Sequence, residues 1–184
     1  MMPKYQMEAL AFHEGIPGHH MQIAIAQELE GIPKFRKFGG YTAYIEGWGL
    51  YSEFLPKEFG FYSDPYSDFG RLAMELWRAC RLVVDTGIHT KKWTREEGIA
   101  YYANNTPNDM LDCVKMVERH IVMPSQATAY KIGMNKILEL RAYAESQMGE
   151  QFDIRKFHEV VLKDGAVPLN ILEDHVYNYI ETKN

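Results

Sequence analysis

FHEGIPGHHMQ, residues 12–22, carries three histidines and a glutamate with Pro17-Gly18 set among them. Helical zinc sites are commonly written H-E-x-x-H, because residues i and i+4 share one helical face and the intervening glutamate reaches the reacting water. Here Pro17 occupies the position of the second histidine. In an unbroken helix His13 and His19 would stand about 9 Å apart along the axis and about 120° out of phase. His20 would be back in phase but about 10.5 Å away. A straight helix therefore cannot bring these rings to one ion. Pro17 cannot donate the helical hydrogen bond and clashes with the preceding turn, while Gly18 tolerates backbone angles that other residues avoid. Together they predict a break that absorbs two residues and restores H-E-x-x-H, with His13 and His19 as ligands. His20 is the alternative second ligand or an outer-shell group.

Outward from this stretch the chain reads as helical. Apolar residues recur at helical spacing, and no alternating strand pattern stands out. The first helix is expected from about Tyr5 towards Glu30, disturbed at Pro17-Gly18, with a loop over Lys34 to Tyr41. Further helices are expected over about 42–55, 69–84, 94–104, from 106–108 to 123, and over 125–148, 153–163 and 169–180. Thr94-Arg95-Glu96-Glu97 is a capping box. The expected fold is all-α, a single helical domain over residues 1–184. Met1-Met2-Pro3 reads as an arbitrary start so close to the motif that the chain is expected to be the C-terminal part of a longer protein.

Composition narrows the function. The chain has 184 residues, 46% of them apolar, enough for one substantial core. A net charge of -5 without a long basic run argues against nucleic acid as a partner. Cys80 and Cys113 are too few for a disulfide framework and too scattered for a thiolate zinc site, so no disulfide partner is expected. No apolar run is long enough to span a membrane, and any export signal is expected to lie upstream of these residues.

Two histidines need a third ligand. Glu46, in YTAYIEGWGLYSE (residues 41–53), lies in an apolar helix where an unpaired carboxylate would be costly. Glu53 follows two turns later on the same face, placed to hold a ligand histidine through its other ring nitrogen. Arg81, Asp85 and His89 share a helical face and suit a buried structural network. Arg119, His120 and Lys131 could meet a substrate carboxylate, though each also suits an ordinary helix surface.

FHEGIPGHHMQ, YTAYIEGWGLYSE, RACRLVVDTGIH (78–89) and PSQATAYKIG (124–133) together resemble a bacterial family of unknown function bearing H-E-x-x-P-G-H-H-x-Q. The resemblance spans nearly the whole chain and implies the C-terminal third of longer proteins, many of them secreted or lipoproteins. A secreted, periplasmic or lipoprotein location follows as an expectation. More distantly, the layout is similar to the gluzincin zinc peptidases, whose two helix histidines and a glutamate from the next long helix bind zinc. That resemblance implies a metallopeptidase-like catalytic lobe whose partner is a missing N-terminal lobe of the same protein. It also implies one zinc ion on His13, His19 and Glu46, with Glu14 as general base for a metal-activated water. Tyr130 is implied as donor to the oxyanion, and a peptide as substrate. The competing expectation is a catalytically silent peptide- or envelope-binding module on the same fold.

Overall fold

The structure, a computed structural model, describes residues 3–182. All regular structure among them is helical: a 3-10 turn at Lys4–Gln6, then α1 (Met7–Glu14), α2 (His19–Glu28), α3 (Lys34–Phe38), α4 (Thr42–Glu58) and α5 (Pro65–Lys91). These are followed by α6 (Arg95–Asn105), α7 (Met110–Val122), α8 (Gln126–Met148), a 3-10 turn at Gly149–Gln151, α9 (Ile154–Leu162) and α10 (Leu169–Glu181). No described helix is long and apolar enough to cross a membrane.

Local chemistry explains the boundaries. Asp64 caps α5 by accepting from the Tyr66 N–H, with Pro65 in the first turn where its missing donor costs nothing. The capping box of α6 forms as the sequence predicts, Thr94 and Glu97 each bonding the other's backbone N–H. Asp109 and Asp153 cap α7 and α9 in the same way. Two expectations need adjustment. The expected loop over residues 34–41 contains the short helix α3, and α5 is longer than the apolar pattern suggests, starting at Pro65 because Asp64-Pro65 opens it and running on to Lys91.

The centre of the fold is α4 against α8, the most extensive helix pair. Gly47 and Gly133 meet at this crossing: a Cβ on Gly133 would lie 1.8 Å from the Ala43 carbonyl oxygen, and one on Gly47 would lie 2.5 Å from the Gly133 backbone. Two backbones can approach this closely only without side chains. Around the pair, Tyr44, Trp48, Tyr51, Met134, Ile137, Phe157, Leu172 and Val176 form the main core with α9 and α10. A second cluster, Cys80, Val84, Tyr102, Cys113 and Val117, joins α5, α6 and α7. α1 packs against both α4 and α5, which sets its histidine beside the middle of α4.

Candidate metal centre

α1 stops at Glu14 and α2 starts at His19, so the helix is broken where Pro17-Gly18 predicts. The break is a tight crossing. A Cβ on Gly18 would fall 1.9 Å from the His13 carbonyl oxygen, so only glycine lets the chain fold back over the end of α1. The Ile16–Pro17 peptide is cis, and the Trp48 indole N–H donates to the Pro17 carbonyl at 2.8 Å, fastening the crossing to α4. Across this crossing the His13 and His19 rings lie edge to face with centroids 4.6 Å apart.

The two rings converge on α4. His13 Nε2 is 3.8 Å and His19 Nε2 is 3.4 Å from Glu46 Oε2, and ligand atoms of all three residues lie within 4.8 Å of one another. Zinc bonds of about 2.0–2.2 Å at tetrahedral angles would put neighbouring ligand atoms about 3.4 Å apart. Three such ligands leave one position free. The rings fit because α4 has no side chain beneath them: a Cβ on Gly49 would lie 2.8 Å from Cε1 of both His13 and His19. His20, the alternative ligand, is exposed.

Each histidine is also held from behind. His13 Nδ1 approaches Glu53 Oε1 to 2.7 Å, off the line of the ring N–H, and Glu53 is 1% exposed. Arg78 on α5 reaches the same oxygen at 3.2 Å and supplies the compensating charge. His19 Nδ1 lies 3.3 Å from Oε1 of Gln22, which is buried one turn along α2. Partners at both Nδ1 atoms leave both Nε2 atoms to face Glu46, the arrangement that outer-shell groups impose on metal-ligating histidines.

The charges are consistent with this geometry. Burial favours a protonated Glu46, but the hydrogen bonds to His19 and Tyr130 and the His19 and His13 charges outweigh it and hold the carboxyl below its ordinary range. For His19, burial works to lower the pKa, yet Glu46, Gln22 and the field of Glu14 raise it overall.

Glu14 itself is exposed at the end of α1, with no hydrogen bond or ion pair among the described residues. Tyr130 on α8 is buried, its ring stacked on His13 with centroids 6.4 Å apart. Gln126, one turn before it, donates to the Tyr130 hydroxyl at 3.1 Å and to Glu46 Oε1 at 3.4 Å. Gln22 is the closing glutamine of the H-E-x-x-P-G-H-H-x-Q motif, whereas the spacing of motifs gives no signal for Gln126, Gly49 or Arg78, which only the crossing of helices places here.

The other candidates separate. Asp85 accepts from the Ser125 N–H at 2.9 Å and so fixes the start of α8, where Ser125 has a positive φ of 67°. His89 lies 3.5 Å from Asp85 and bonds the His120 carbonyl. This is the structural network suggested for that helical face, except that Arg81 takes no hydrogen bond in it. Lys131 is tied to Glu75 and His120 is buried against the Tyr102 hydroxyl, while Arg119 is exposed and reaches Gln126. Cys80 and Cys113 are buried free thiols whose pKa values burial raises.

The molecule is thus an all-helical chain with a His-His-Glu cluster at ligand spacing. It belongs to a family of bacterial proteins of unknown function, DUF885, whose model matches residues 1–176. It is similar to the crystal structure of a "putative lipoprotein" from Colwellia psychrerythraea, with 47% identity, a TM-score of 0.96, and coverage of 98% of this chain and 31% of that one. A "putative lipoprotein of unknown function" from Shewanella oneidensis is similar at 26% identity and a TM-score of 0.86, covering 93% of this chain and 31% of that one. The chain therefore spans about a third of the length of these two structures. A search of curated proteins gives no significant match.

Proposed function

We propose that this chain carries the metal-binding part of a zinc-dependent hydrolase, a peptidase similar in design to the gluzincins. One observation carries the reading: Nε2 of His13 and Nε2 of His19 face one carboxylate oxygen of Glu46, and Glu53 stands behind His13. His13, His19 and Glu46 would hold the ion, and the nitrogen and carboxylate donor set suits zinc. When bound, zinc polarises a substrate carbonyl and lowers the pKa of water towards about 7.

The remaining work falls to the protein. The free Glu14 carboxylate takes the proton from the attacking water and passes it to the leaving amine. Tyr130, whose hydroxyl is oriented by Gln126, donates to the developing oxyanion. Glu53 fixes the His13 ring through Nδ1 and is itself neutralised by Arg78. The substrate cleft is completed by a second lobe, for which the longer relatives have ample chain, and the lipoprotein relatives favour a location at the cell envelope.

The test is hydrolysis of a peptide library by the zinc-loaded protein in its full natural length, alongside Glu14→Gln and Tyr130→Phe. Glu14→Gln should keep zinc and fold while losing at least about 10²-fold in turnover, and Tyr130→Phe should lose about 10²–10³-fold. Undiminished turnover in Glu14→Gln removes its role as base. No hydrolysis by zinc-loaded wild type across broad peptide pools would replace the enzyme with a peptide-binding module on this fold.

A further inference from the structure

Two arginines one turn apart on α5 approach the Tyr130 ring, and each has a buried Nε without a hydrogen-bond partner. They differ in their counter-charge. Arg78 lies 3.2 Å from Glu53 and donates to the Met74 carbonyl. Arg81 is 8% exposed, and among the described residues no carboxylate lies within ion-pair distance of it. What it meets is the face of Tyr130, with the guanidinium carbon 4.7 Å from the ring centroid. A cation–π contact offsets only part of the cost of removing a guanidinium from water. Burial, followed by the neighbouring Arg78 charge, holds Arg81 below its ordinary range. A buried guanidinium without a carboxylate is a charge that an incoming anion would pair with.

We infer that Arg81 is the recognition site for a substrate carboxylate, so that the site acts on peptides bearing a free carboxylate within a few residues of the bond attacked. The distances set that range. Arg81 stacks on Tyr130 at 4.7 Å and Tyr130 on His13 at 6.4 Å, and an extended peptide advances about 3.3–3.6 Å per residue. One to three residues therefore separate the anion from the reacting carbonyl. A guanidinium suits this task because its planar fork takes both carboxylate oxygens. The inference deepens the hydrolase reading and rests on it for the location of the scissile bond, but the binding of the anion can be measured alone.

The experiment titrates acetyl-trialanine as the free acid and as the C-terminal amide into the metal-free full chain by calorimetry. A third probe is the amide with aspartate as its last residue. Wild type should bind the acid at least about tenfold more tightly than the trialanine amide, as befits a charge-assisted contact. Tight binding of the aspartate amide would assign the carboxylate to a side chain, and its failure would assign it to the peptide terminus. Arg81→Met should erase the preference while leaving the melting temperature unchanged or higher, since an unpaired buried charge has gone. Equal affinity for acid and amide in wild type, a preference that survives in Arg81→Met, or a fall in that variant's melting temperature would each overturn the assignment. The last of these would make Arg81 a prop for Tyr130. Cleavage is scored separately in the zinc-loaded protein. Selective binding without cleavage removes the hydrolase reading alone, and cleavage indifferent to the carboxylate removes the Arg81 assignment alone.

Discussion

Glu46 and Glu53, two turns apart on α4, stand on opposite nitrogens of one imidazole: Glu53 is 2.7 Å from His13 Nδ1 and Glu46 is 3.8 Å from His13 Nε2. The same helix thus offers one carboxylate to the Nε2 side of the ring and another to its Nδ1 side. The difference in environment separates their roles. Glu46 keeps partial access beside His19 and Gln126, whereas Glu53 is sealed between His13 and Arg78.

Glu53→Gln should therefore damage two properties at once. The Arg78 guanidinium loses its counter-charge in a buried setting, and breaking such a pair costs about 3–5 kcal/mol. The His13 ring loses the anion set 2.7 Å from its Nδ1, and loss of such a partner behind a metal-binding histidine lowers metal affinity by about 10–100-fold. Chemical denaturation and zinc competition against a chelator read the two effects separately. Zinc affinity equal to wild type would show that Glu53 serves the core rather than the ligand.

Gly133→Ala tests the crossing that holds the site's two long helices together. The new methyl would sit 1.8 Å from the Ala43 carbonyl oxygen, and that neighbour is backbone, which cannot swing aside. Although alanine favours a helix over glycine by about 1 kcal/mol, overpacking typically costs about 1–3 kcal/mol, and backbone contact belongs at the upper end. The denaturation midpoint should fall with an unchanged slope. A midpoint at or above that of wild type would mean that α4 and α8 separate at little cost.

Much of this was readable from the chain itself. His13 and His19 follow from spacing, because helical geometry forbids the histidines to meet without a break and Pro17-Gly18 supplies one; Glu46 follows from a carboxylate set in an apolar helix, and Glu53 from its place two turns on. Thr94 and Glu97 announce their helix by local chemistry alone. Gln126 and Arg78 gave no such signal, and Arg81 was legible only as one of a helical face with Asp85 and His89, since their relation to Glu46, Glu53 and Tyr130 arises only where α5 and α8 cross α4. Gly49 was silent for the same reason. A glycine within a helix shows its purpose only when the neighbour that fills its space is known.

Acid should weaken the fold through two histidines remote from the cluster. Burial, then the Arg81 and Arg119 charges, lowers His120 to about 4, and burial with Arg141 lowers His158 to about 4. Both rings accept a tyrosine hydroxyl in their neutral form, from Tyr102 at 2.6 Å and Tyr51 at 2.9 Å. Between their ordinary value near 6.5 and about 4, the unfolded chain binds protons that the folded chain refuses. Stability is therefore full above pH 6.5 and declines as pH falls through that window, with each ring contributing a slope of up to about 1.4 kcal/mol per pH unit. His158→Gln should flatten the decline by one ring's share, measured by denaturation at a series of pH values. A slope identical to wild type would show that His158 titrates alike in both states.

Gly49→Ala separates the site from the fold most cleanly. Its Cβ would meet Cε1 of His13 at 2.8 Å, and both Cε1 and Nε2 of His19 at 2.8 Å, so the added methyl presses first on the His13 and His19 rings. Side chains can yield where backbone cannot, and the rings should tilt away from Glu46. Within α4 the exchange favours the helix by up to about 1 kcal/mol. The melting temperature of the metal-free protein should thus hold or rise. Zinc affinity should fall at least about tenfold, because a ligand nitrogen displaced by even a few tenths of an ångström leaves the narrow range of zinc bond lengths. Chelator competition paired with thermal unfolding measures both. Full zinc affinity in Gly49→Ala would mean that the rings can coordinate from another position, and that the small residue beneath them serves only the packing of α1 and α2 on α4.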